Sequence, residues 1–151
     1  MSAVAAFMKR KNIEISAKRY GIDALGAMAQ GLFCSLLIGT IIKTLGEQLG
    51  MQLLIDIGQY ASDMSGPAMA VAIGYALKCD PMVLFSLVAV GWAANKEGRA
   101  GGPPAVLVIA IVAAEFGKCV SKETKVDILV TPAVTILVGV AHAKWIAPPI
   151  G

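Results

Sequence analysis

The stretch ALGAMAQGLFCSLLIGTII, Ala24 to Ile42, runs for nineteen residues without a charge and is interrupted only by Gln30, Ser35 and Thr40. As a helix rising 1.5 Å per residue it is about 28 Å long, enough for one bilayer crossing. Working outward, the remaining charges leave four shorter uncharged intervals: Met64 to Leu77, Pro81 to Asn95, Ala100 to Ala114 and Ile128 to Ala143. These span about 21–24 Å each, which suits short, tilted, broken or re-entrant helices. The fold class expected is therefore all-α: a polytopic helical membrane protein with about five apolar segments in residues 21–151. Residues 1–20 form a basic interfacial or cytoplasmic N-terminal helix ahead of them.

Composition agrees with a bilayer as solvent. Hydrophobic residues make up 57% of the 151-residue chain and charged residues only 15%, against ~25% charged in soluble domains. Disorder and a nucleic-acid-coating role are both disfavoured, because the net charge of +3 is scattered and forms no phosphate-tracking stripe. Cys34, Cys79 and Cys119 are an odd count with no CxxC or HxxxH motif nearby, so neither a disulfide framework nor a zinc site is supported, and they read as buried thiols. No cofactor is expected, and no nucleophile, base or paired-carboxylate constellation can be placed. The N-terminus has small apolar residues before basic ones, the reverse of a secretory signal. Lys9, Arg10, Lys11, Lys18 and Arg19, interleaved with Ile13, Ile15 and Ala17, suit an anionic leaflet or a frayed tail.

The basic residues also give an orientation. With the N-terminus cytoplasmic and each interval crossing in turn, those five share a side with Lys78, Lys118, Lys122 and Lys125. Only Lys43, Lys96, Arg99 and Lys144 lie elsewhere, so the positive-inside bias favours a cytoplasmic N-terminus. Between Leu45 and Ile57, polar and apolar residues mix, as in an interfacial loop or short amphipathic helix. Pro-Ala steps at residues 67, 104 and 132 read as first-turn prolines of helices.

Candidate binding residues are polar groups stranded in apolar surroundings. Asn95-Lys96-Glu97-Gly98-Arg99-Ala100-Gly101-Gly102-Pro103-Pro104 joins two intervals that look too short to cross. It is either a binding tip inside the protein or a plain extramembrane turn. As a tip, it makes Asn95, Glu97, Arg99, Gly101 and Gly102 substrate-binding, with Glu97 and Arg99 holding each other. Asp63, beside the Ser65-Gly66-Pro67 helix break, is functional or interfacial. Glu115 precedes Lys118 by one helical ion-pair spacing, and His142 sits close to the Lys144-Trp145 interfacial anchor. Both carry a solute-contact reading beside the bland one.

Residues 115–132, EFGKCVSKETKVDILVTP, together with the Ala100-Gly101-Gly102-Pro103 run, resemble the membrane-embedded IIC-type proteins of the bacterial phosphotransferase system, in the branch that includes toxin-expression regulators. The resemblance covers the chain from about Ile22 onward. It implies a multi-pass bacterial inner-membrane protein binding a sugar or sugar-like solute near the bilayer midplane, with a cytosolic IIB-type phosphocarrier supplying any phosphoryl group. The chain resembles an N-terminal half, so a homo-oligomer or a missing C-terminal half is expected. Gly26, Gly31, Gly39, Gly74 and Gly91 offer the close helix contacts for self-association. The alternative function is a membrane-resident regulator that binds a ligand or partner without transport. The resemblance also adds weight to a re-entrant hairpin over residues 81–117.

Overall fold

The computed structural model describes residues 3–10, 18–98, 102–121 and 127–150. Among these residues there are seven helices and no strand: α1 (Ala3–Arg10), α2 (Arg19–Leu49), α3 (Gln52–Asp63), α4 (Ser65–Ala76), α5 (Pro81–Gly98), α6 (Gly102–Val120) and α7 (Asp127–Ile150). The all-α membrane class expected from the uncharged intervals holds. Helix α2, helix α6 and residues Leu129–Ile146 of α7 are each long and apolar enough to cross a membrane.

Local chemistry sets the boundaries. Gly50 takes the left-handed conformation (φ 65°) that ends α2, and its amide and that of Met51 both bond the Gly46 carbonyl. Pro67 and Pro104 sit in first turns, where the missing N–H costs no helical bond. Pro132 departs from that expectation, since it is the sixth residue of α7. Helix α4 ends on Lys78, a non-glycine residue at φ 60°, whose neighbour Cys79 bonds the Gly74 carbonyl.

Charges did not stop the helices where the uncharged intervals suggested. Helix α5 runs on through Lys96 and Glu97, and α6 through Glu115 and Lys118, giving 18 and 19 residues. At about 27 and 28 Å, each nearly matches the hydrocarbon core. The length argument for a re-entrant hairpin therefore falls away.

The helices alternate in direction. Gly31 of α2 lies on the Ala68–Met69 backbone of α4, Gly66 on Gly91, Gly117 on Val83, and Gly139 on Ala113 and Val90. So α2, α4, α5 and α6 are each antiparallel to the next in the packing, while α7 is antiparallel to α6 and parallel to α5. The base of the bundle holds the starts of α2 and α5 and the ends of α4 and α6. The tip holds the α5–α6 connection. A core of Met69, Ile73, Leu77, Leu87, Val90 and Ile109 is interleaved with alanines such as Ala94, Ala110 and Ala113, all with no accessible surface. In lipid, such small residues stabilise by letting helices approach closely.

Of the glycines expected to join copies, Gly31, Gly39, Gly74 and Gly91 are used within the chain, and Gly26 alone has open space around it. Helix α2 passes the tip near Ser35 and continues as an arm with α3, where Gly39 meets Gly58 and Ser62, and Gly46 meets Leu54 and Ile55. The mixed Leu45–Ile57 stretch is thus the far end of this helical hairpin.

Candidate functional site

Two polar clusters occupy opposite ends of the bundle. At the tip, the α3–α4 elbow at Met64 brings Ser62, Asp63 and Ser65 against the last turns of α5. The close Gly66–Gly91 crossing holds the two helices at backbone contact. A pocket of about 220 Å³ opens there, lined by Ser62, Asp63, Ser65, Trp92, Asn95 and Lys96. The Asn95 amide donates to Ser65 Oγ at 3.5 Å, and Gln59 donates to Asp63 Oδ1 at 2.7 Å. The Lys96 ammonium lies 5.1 Å from the centre of the Trp92 ring, a cation–π contact at the rim. Buried Gly102 opens α6 against the Asn95 side chain, with no room for a Cβ.

Of the residues proposed from sequence, the structure brings Asp63 and Asn95 into one pocket, with Gly102 packed behind Asn95. Glu97, next in sequence to Lys96, is held by Lys144 of α7 at 2.6 Å rather than lining the pocket. Arg99 and Gly101 lie outside the described residues, so the expected Glu97–Arg99 pair does too. His142 is turned into its own helix, its Nδ1–H donating to the Val138 carbonyl at 2.7 Å. Trp145, at the same end, is 84% exposed. Sequence reasoning missed Ser62, Ser65, Trp92 and Lys96.

Glu115 belongs to the other end, about 20 Å from Gly102 along α6. It pairs with Lys118 at 3.2 Å, as the spacing predicted, and accepts a hydrogen bond from Tyr20 at 3.0 Å. Lys118, 3% exposed, also donates to the Leu77 carbonyl at 2.9 Å. That carbonyl is one of those left over where α4 ends. Nearby, Ser121 donates to Asp80 at 2.7 Å. Burial pushes the Cys79 thiol in the α4–α5 connection up to about 12, so it is an inert thiol at neutral pH. The buried-thiol expectation is corrected, since Cys34 is exposed on α2 and Cys79 and Cys119 are half-buried. The base cluster ties α2, α4 and α6 together.

Comparison with known proteins adds the family. No curated protein and no solved structure matches the chain. A family model described as phosphotransferase system, EIIC matches residues 22–151, from the first turn of α2 through all of the bundle. With crossing-length apolar helices and a match over most of its length, this chain belongs to the phosphotransferase system EIIC family and is a membrane component of that system.

Proposed function

We propose that the chain binds a sugar or sugar-like solute for translocation, and that the tip pocket holds it. The observation behind this reading is the pocket's lining: one carboxylate, one amide, two hydroxyls and an ammonium around an indole. Vicinal hydroxyls both donate and accept, and Asp63, Asn95 and Ser65 supply the complementary groups. Trp92 supplies an apolar face for the ring carbons. Titration calorimetry of the detergent-solubilised protein against hexoses, hexitols and disaccharides tests it. A hydrogen bond to a charged group contributes about 1.5–3 kcal/mol, so Asp63→Ala should weaken the tightest binder by roughly 10- to 100-fold. Trp92→Ala should weaken it as well. Wild-type affinity in both variants would remove the solute from this pocket.

In this reading both α5 and α6 cross the bilayer, and the tip lies at the outer interface, where Lys144 and Trp145 mark headgroup depth. The base is cytoplasmic. Its Tyr20–Glu115 and Lys118–Leu77 contacts put Arg19, Lys78 and Lys118 at one end, in line with the basic asymmetry. A cytosolic IIB-type phosphocarrier meets that face, and a second copy or second half encloses the pocket's open side. Cysteines introduced at Lys9 and Lys78 should both be protected from an impermeant reagent added to intact bacterial cells. A cysteine at Gln52 should be labelled. The opposite pattern would invert the topology.

A further inference from the structure

The arm formed by residues 38–63 has two unlike faces. On α2, Ile38, Ile41, Leu45 and Leu49 recur at helical spacing, and on α3, Leu53, Ile57 and Tyr60 do the same, followed by Met64 at the elbow. Each is between 43% and 71% exposed. About 140° away around α2 lies a polar stripe of Thr40, Thr44 and Glu47, and about 100° away around α3 lies one of Gln52, Asp56, Gln59 and Asp63, also exposed.

Because the helices are antiparallel and meet through Gly39, Gly46 and Gly58, right-handed winding puts both apolar stripes on one side of the hairpin. Both polar stripes then fall on the other side. Hydrogen bonds knit the polar side along and across the helices: Gln52 to Asp56 at 2.8 Å, Gln59 to Asp63, and Lys43 to Gln59 at 2.8 Å. The arm is a two-helix slab with one oily face and one wet face.

Helix α2, at about 46 Å, is too long to stand within a ~30 Å core, and the arm is the part that extends past the tip. A wide π turn at Phe33–Leu37 separates the two parts of α2, and the Ser35 hydroxyl donates to the Gly31 carbonyl at 2.7 Å. Wide turns and such back-bonding are where helices bend.

We propose that the arm lies flat on the membrane surface at the tip end, its apolar face sunk into the headgroup–acyl boundary and its polar face in water. The lipid surface it suits is neutral, because the polar face carries Glu47, Asp56 and Asp63 against Lys43. It places a lipid-anchored platform, ending in Asp63, beside the tip pocket.

Depth measurement on the full chain in phosphatidylcholine vesicles tests this. Nitroxides are attached to cysteines at Leu53 and Ile57, and in separate variants at Gln52 and Asp56, with the three native cysteines replaced by alanine. The expected result is strong oxygen collision at 53 and 57, at one shared depth about 5–10 Å below the phosphates. Positions 52 and 56 should collide with a water-soluble nickel chelate instead. A clearly greater depth at one of 53 and 57 than at the other would overturn the proposal in favour of a crossing, and silence to both reagents at 53 and 57 would overturn it in favour of a protein partner. Should the cysteine-free chain not fold, Leu53→Trp and Ile57→Trp in the native-cysteine chain, with Trp92 and Trp145 replaced by Phe, give the same reading. Lipids brominated near the headgroup should quench both tryptophans more than lipids brominated deep in the chain, and the reverse order would overturn the proposal.

Discussion

Glu115→Leu should cost the folded protein about 1.5–3 kcal/mol, because it removes a carboxylate that pairs with the buried Lys118 ammonium at 3.2 Å. Lys118 has almost no contact with solvent, so water does not replace the lost carboxylate. The same substitution removes the Tyr20–Glu115 hydrogen bond that ties the start of α2 to α6. Combining it with Lys118→Met should restore most of the loss, since removing both charges leaves a packed apolar contact. Equilibrium unfolding in mixed micelles, read as a double-mutant cycle, measures both quantities. A single-variant loss below about 1 kcal/mol would show that the pair is solvated and does not tie the base together.

At the tip, Gly91→Val should abolish folding or solute binding, and Gly91→Ala should already cost about 1–3 kcal/mol. A Cβ at position 91 would fall on the Gly66 carbonyl oxygen, and one at position 66 would lie 2.5 Å from the Gly91 carbonyl oxygen. Both obstacles are backbone, so no rotamer change relieves them, and α4 must move away from α5. That movement separates Ser65 from Asn95 and opens the pocket wall. Gly26→Ala is the internal contrast: nothing lies within 4 Å of its Cβ, so removing a helical glycine there should stabilise by about 0.4–1 kcal/mol. Thermal unfolding followed by binding of the best solute separates the two effects. Equal behaviour of the two alanine variants would mean that the α4–α5 crossing tolerates expansion.

The five uncharged intervals were legible as helices because, in lipid, charge is the costliest feature a segment can carry. Each became one: α2, α4, α5, α6 and α7. Their ends were less legible for the same reason. A charge with a partner does not end a helix, and Glu97 has Lys144 while Glu115 has Lys118. Glu115–Lys118 could be read from spacing along one helix, but the Tyr20–Glu115 contact, 95 residues apart, could not.

The pocket divides in a similar way. Asp63 and Asn95 stood out as polar groups in apolar surroundings. Trp92 and Ser65 look ordinary in sequence and gain a role only once the Gly66–Gly91 crossing sets α4 against α5. The amphipathic character of the Leu45–Ile57 stretch was visible, whereas the pairing of two such helices with like faces on one side depends on the antiparallel turn at Gly50.

The parallel pairing of α5 and α7, with Gly139 seated on Val90 and Lys144 reaching Glu97 across 47 residues, bears on how the protein is made. Helices α5 and α6 are sequence neighbours and can zip together as soon as both have left the insertion machinery. The Val90 face of α5 must then wait, because its partner is synthesised later and docks only after a closure spanning the whole of α6. Until α7 arrives, that face is open to lipid or to any other inserting helix. Quality control of a nascent chain interrupted before Gly139 would therefore meet a hairpin whose groove for α7 is still vacant.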